Sequence, residues 1–105
     1  MPGGAASAHA ALYVLPDAAG SRRIHGLFAN ELARRNPQRA VAMLVARHGG
    51  YTVSVRAPIE KPRGADVLCL KFETGGGRQG AAGINWLPEA DYARFLSEFS
   101  KAFTS

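Results

Sequence analysis

One hairpin limits the folds open to this chain. Ala40 to Ala46 is an unbroken apolar run, the pattern of a strand buried on both faces. His48-Gly49-Gly50 follows as a turn, and the next residues alternate strictly. Tyr51, Val53, Val55 and Ala57 point one way, and Thr52, Ser54 and Arg56 point the other. Two strands joined by so short a glycine turn should pair antiparallel.

The segments on either side supply more strands and the covering helices. His9 to Leu15 reads as a strand, ended by Pro16-Asp17. Asp17 or Ser21 can cap a helix running to about Arg35, with Ile24, Leu27, Phe28 and Leu32 on its apolar face. Asn36-Pro37 stops that helix, because proline restricts the residue before it and cannot continue the ladder. Ala57 to Arg63 holds Pro58 and Pro62 and reads as a loop. Gly64 to Phe72 fits a short helix with Ala65, Leu68, Cys69 and Phe72 on the core side, and Gly75 is placed to end it in a left-handed conformation. Ala81 to Leu87 is the last strand. Leu87-Pro88 opens a final helix with Tyr92, Phe95, Leu96, Phe99 and Phe103 in one stripe. The order β-α-β-β-α-β-α predicts a single small α/β (α+β) domain, a mixed sheet with helices packed on it. Residues 1–8 read as a flexible tail and residues 9–105 as the domain.

Composition narrows the function. With 105 residues, 47% apolar and 20% charged, the chain suits one modest core. No apolar run approaches the roughly 18–20 residues of a membrane span, so no membrane partner is expected. The first ten residues do not read as a secretory signal. The single Cys69 reads as a buried small hydrophobe and favours a cytoplasmic setting. A net charge of +5 favours an anionic partner such as a nucleotide or nucleic acid. The arginines are scattered, so this charge permits phosphate binding without locating it.

The location comes from Thr74 to Gly83, ten positions with five glycines, two alanines and Arg78. Glycine lets a ligand approach the main chain, and successive N–H groups in such a turn can cradle an anion. Arg78 adds a planar cation suited to a bidentate grip on phosphate. Ser54 and Arg56, two residues apart on one side of the alternating strand, could share the same ligand. Trp86 could stack on a base, a contact worth roughly 1–3 kcal/mol where it occurs. His25 reads as a partly buried structural residue, and Arg22-Arg23 as solvated surface.

The segment Phe72-Glu-Thr-Gly-Gly-Gly-Arg-Gln-Gly-Ala-Ala-Gly-Ile-Asn85 resembles the Gly-Gly-Gly-His-x-x-Ala-Ala-Gly signature of the DHH-associated substrate-binding domain. That domain is the C-terminal half of DHH-family phosphoesterases. Val53-Ser-Val-Arg56 is similar to the Ser-x-Arg strand that precedes the signature, and the resemblance spans roughly residues 10–105. It implies that Gly75, Gly76, Gly77, Arg78, Ser54 and Arg56 hold substrate phosphate. Arg78 stands where many members carry histidine. Arginine can donate and neutralise but does not exchange its proton near neutral pH.

In the family, catalysis needs an N-terminal domain with an Asp-His-His motif and two divalent metals such as manganese. His9, His25 and His48 are widely spaced, and no Asp-His-His is present. No catalytic residue and no metal ligand is therefore expected in this chain, nor any cofactor. The expected role is substrate binding as a fragment or split gene product, with a short oligonucleotide or nucleotide as ligand and a DHH catalytic domain as partner. The alternative is an interaction module that docks onto a separately encoded DHH partner, or forms a homodimer, and binds little alone.

Overall fold

The computed structural model describes residues 4–6, 9–17 and 19–103. Strands β1 (Gly4–Ala6) and β2 (Ala10–Leu15) precede helix α1 (Ala19–Arg35). The hairpin of β3 (Ala40–Arg47) and β4 (Gly50–Arg56) comes next, then α2 (Ala65–Leu70), β5 (Gly75–Gly77) and β6 (Ala81–Pro88). A single 3-10 turn, Glu89–Asp91, leads into α3 (Tyr92–Ala102). The six strands form one sheet in the order β1-β2-β3-β4-β6-β5. Among the described residues only β2 and β3 pair in parallel, and α1 supplies the long crossover that a parallel pair requires.

The central hairpin forms as its pattern predicts. Residues Ala40 to Val45 are all buried, because β3 is covered on both faces. One core lies between the sheet and α2 and α3, and includes Leu44, Val53, Val55, Leu68, Ile84 and Phe95. A smaller one packs Ala29 and Ala33 of α1 against Val41, Met43 and Val45. On α3 the sequence stripe holds: Phe95 and Phe99 stack at 5.9 Å between ring centroids, and Phe99 meets Phe103 at 5.5 Å. Full burial of each such side chain stabilises the fold by about 1.5–3 kcal/mol. On α2, the expected core residues Ala65, Leu68, Cys69 and Phe72 are all buried.

Four expectations are corrected. Residues 4–6, read as part of a tail, pair with β2 as strand β1. The inner face of α1 is not the bulky one: Leu27 is 73% and Phe28 44% exposed, while Ala29 and Ala33 are buried. One residue of offset rotates a helix by about 100°. Valine and methionine on β3 fill most of the interface, so small alanines sit opposite them, and of the expected bulky residues Leu32 packs half-buried against this core. The side chain of Ile24, and those of Ser21, Arg22 and Arg23, lie outside the described residues. Gly75 does not end α2. The helix closes at Lys71 in a right-handed conformation, and left-handed Gly64, at φ 105°, opens it instead. Finally, the glycine run is not a loop, because Gly75–Gly77 is an edge strand paired with β6.

Candidate phosphate-binding face

The hairpin of β5 and β6 is closed by Arg78 and Ala81, whose main chains bond each other at 2.8 and 3.3 Å. Ala57 N–H donates to the Gly80 carbonyl at 3.0 Å and Ala65 N–H to the Gln79 carbonyl at 3.1 Å. The turn is thus tied to the end of β4 and the start of α2, which fixes the backbone at Arg78. Gly75 is needed for packing: a Cβ there would stand 1.8 Å from the Cys69 carbonyl oxygen. Gly77, at φ 143°, is pressed against Ala82. Gly76 differs, since a Cβ on it would meet nothing within 4 Å.

Register places the remaining residues in rows across the sheet. Arg56 pairs with Ala81, whose hairpin partner is Arg78; Ser54 pairs with Gly83, which pairs with Gly76. Two strand spacings separate Arg56 from Arg78, roughly 10 Å at the backbone. A shallow depression of about 400 Å³ runs over Thr52, Thr74, Gly76, Gly83 and Asn85. Its floor is nearly bare main chain, so a ligand can lie against the sheet.

Helix α1 supplies side chains to this face. Its small inner residues, Ala29 and Ala33, bring it close enough for His25 and Asn30 to reach β4. Ser54 Oγ and His25 Nδ1 are 2.8 Å apart, and Ser54 is only 7% exposed. Arg56 Nε donates to Asn30 Oδ1 at 2.7 Å, and its Nη1 donates to the Val55 carbonyl at 3.1 Å. Among the described residues no carboxylate pairs with Arg56 or Arg78; Glu31, Asp91 and Glu98 are engaged with Arg34, Arg35, Arg94 and Lys71. Burial, and then the Arg78 guanidinium, pull Arg56 below the ordinary arginine value. Burial, and then Arg56, hold His25 below the ordinary imidazole value. The face is a cluster of uncompensated cationic and donor groups, the arrangement that accepts an anion.

Of the residues singled out from sequence, Ser54, Arg56, Gly76 and Arg78 share this face. Gly75 and Gly77 shape its edge through packing. Trp86 stands apart. It is half-buried against Gly49 and Gly50, with the Arg47 guanidinium 5.3 Å from its ring centroid. Gly50 and Arg56 are six residues apart along β4, which separates Trp86 from the arginines by about 20 Å. His25, read as a partly buried structural residue, is partly buried as expected, and the sequence reading did not place it or Asn30 on this face. Their signal was the spacing His25-Ala29-Asn30-Ala33, which puts small and polar residues on one side of a helix. Among the described residues no group of three or more His, Cys, Asp or Glu is placed to hold a metal ion. Nor is any helix among them long and apolar enough to cross a membrane.

The fold defines a class: a small α+β domain that also occurs in the following solved structures. The C-Ala domain of Aquifex aeolicus alanyl-tRNA synthetase superimposes with a TM-score of 0.67 at 14% identity, covering 98% of this chain and 99% of that domain. The pGpG-specific phosphodiesterase PggH of Vibrio cholerae, a DHH-family protein, superimposes with a TM-score of 0.62 at 15% identity. That match covers 94% of this chain and 34% of PggH, so this chain spans about a third of that enzyme's length. The fold implied by the DHH-associated resemblance is therefore the fold observed. No protein-family model matches the chain, and no curated protein matches its sequence significantly.

Proposed function

We propose that this domain binds the phosphates of a nucleotide or short oligonucleotide between Arg56 and Arg78, as the substrate-holding half of a DHH-type phosphoesterase. One observation carries the proposal: two guanidiniums share an open face with no carboxylate partner among the described residues. Without an anion they repel each other; with a phosphate between them each can donate two parallel hydrogen bonds. Ser54 and the glycine-floored face, Gly75 to Gly77, line the approach of the sugar–phosphate chain. Trp86, about 20 Å from the arginines along the sheet, would meet a base some nucleotides along an oligomer. The two structural neighbours add support, since one is a phosphodiesterase specific for pGpG and the other a domain of a tRNA synthetase.

Bond cleavage would belong to an Asp-His-His domain with its divalent metals, acting on substrate that this chain holds. Arg78 neutralises charge and orients; it does not transfer protons. Phosphate contacts carry no base information, so RNA, DNA and dinucleotides are all candidates for the ligand. A cytoplasmic setting would suit such a substrate. Titration of the chain with short ribo- and deoxyribo-oligomers at low salt tests the proposal, and absence of binding to both refutes it. The docking alternative draws on Val67 and Leu70, 60% and 66% exposed on α2. Sedimentation with and without a DHH partner separates it from phosphate binding.

A further inference from the structure

Beyond Arg56 from the glycine floor, a cavity of about 580 Å³ opens between α1 and the loop that follows β4. Its walls are mostly aliphatic, with Leu27 and Ala33 on one side and Ile59 and Pro62 on the other. Leu27 is 73% and Ile59 49% exposed, so neither is held in a core. Isolated exposed aliphatics are ordinary on protein surfaces. Two of them facing one concavity, beside a fixed cation, are not explained by that alone.

Arg56 belongs to both places: it lines this cavity and feels the charge of Arg78. Its bond to Asn30 fixes the guanidinium at the boundary. Gly80 closes the cavity from the same turn that carries Arg78, so the two sites meet at one backbone segment. Asn30 also lines the cavity, and while its Oδ1 accepts from Arg56 its amide nitrogen is left as a donor. The remaining cation, Arg34, is paired with Glu31. A concave apolar site with few fixed polar groups is the usual form of a small-molecule pocket, typically about 300–1,000 Å³.

We propose that this cavity is a nucleobase subsite, taking the planar heterocycle of the nucleotide whose phosphate lies between Arg56 and Arg78; the proposal rests on that phosphate site. The base would lie between Leu27 and Ile59, with the Asn30 amide donating to a carbonyl or ring nitrogen on its edge. The charge of the neighbouring arginines selects an anion-bearing ligand over a neutral aromatic one. The ligand class is therefore a nucleotide, recognised through base and phosphate together.

The test compares adenosine and guanosine 5′-monophosphates with ribose 5-phosphate, using the whole chain and methyl NMR. At least one nucleotide should bind roughly tenfold more tightly than ribose 5-phosphate, as expected for burying a base. It should also move the Leu27 and Ile59 methyl signals by ring current, while ribose 5-phosphate leaves them in place. Leu27→Ser and Ile59→Ser alter exposed side chains and should narrow the affinity ratio without changing ribose 5-phosphate binding. Equal affinity for nucleotides and ribose 5-phosphate overturns the base subsite and leaves the phosphate site standing. Ring-current shifts at Trp86 in place of Leu27 and Ile59 also overturn it. Methyl shifts that follow protein concentration without ligand would assign the cavity to a second copy of this chain. Failure of every phosphate-bearing probe to bind removes the phosphate site and this subsite with it.

Discussion

His25 Nδ1 lies 2.8 Å from Ser54 Oγ, joining α1 to the middle of β4 beside Arg56. Burial, and then the Arg56 charge, keep this imidazole below its ordinary value, so it is largely neutral at pH 7. A neutral ring and a hydroxyl can exchange donor and acceptor roles, which lets the pair accommodate an anion or a hydroxyl next to it.

An anion between Arg56 and Arg78 would offset the charge that disfavours protonated His25. Binding should therefore raise the His25 pKa and take up a proton, and affinity should rise as pH falls below neutrality. A phosphodiester without a terminal phosphate keeps the ligand's own titration out of the measurement. NMR titration of the His25 ring in free and bound protein checks this, and an unchanged or lowered pKa on saturation would sink it. In the free protein the folded-state value lies below the unfolded one. The His25 contribution to stability is thus complete above about pH 6.5 and is lost as pH falls from there through the lowered folded value.

Neighbouring glycines should separate folding from binding. Gly75→Ala forces a methyl into the Cys69 carbonyl and should cost at least about 1–3 kcal/mol of stability. Gly76→Ala meets nothing within 4 Å and should change stability by no more than about 0.5 kcal/mol. Its methyl stands on the glycine floor, so phosphate affinity should fall roughly tenfold, about 1.4 kcal/mol. Urea denaturation paired with a binding titration reads both, and full affinity in Gly76→Ala would mean that ligand does not lie on this face.

The fold was legible where side-chain size and spacing leave one solution. The apolar run of β3, the glycine turn after it, the alternation of β4 and the phenylalanines of α3 each specify a periodicity and a face. The inner face of α1 was hidden because burial there follows small size: Ala29 and Ala33 carry little hydrophobic signal beside Leu27 and Phe28. The strand at Gly75–Gly77 was hidden for a related reason. Its place depends on close approach to Cys69 and Ala82, which no local propensity reports. Ser54, Arg56 and Arg78 were legible as a group. His25 and Asn30 were not, because they meet β4 only through a crossover helix.

Cys69 offers a probe of the core. Burial, and then Asp66, push its thiol up to about 12, so little thiolate forms near neutral pH. The native protein should resist thiol reagents, and labelling should track unfolding. Phe95→Ala, which empties a fully buried position, should cost about 3–5 kcal/mol and speed labelling in step. Rapid labelling of the stable native protein would contradict the packing of α2 on the sheet.

The two arginines should differ in structural cost and agree in function. Arg78 has no side-chain bond among the described residues, so Arg78→Ala should leave stability nearly unchanged. Arg56→Ala breaks its bond to Asn30 and should be slightly less stable. Each should lose about 1.5–3 kcal/mol of binding. The double variant should lose less than the sum, because both would hold one phosphate.

The most direct measurement is the salt dependence of binding to a single-stranded oligonucleotide, for the unaltered chain and for Arg56→Ala with Arg78→Ala. Each phosphate contact adds about 0.7 to the slope of log affinity against log salt. The unaltered chain should bind with affinity that falls steeply with salt, and the double variant should bind more weakly with a shallower slope. Equal affinity and slope in the two proteins, or no binding by the unaltered chain at low salt, would contradict a phosphate site between Arg56 and Arg78.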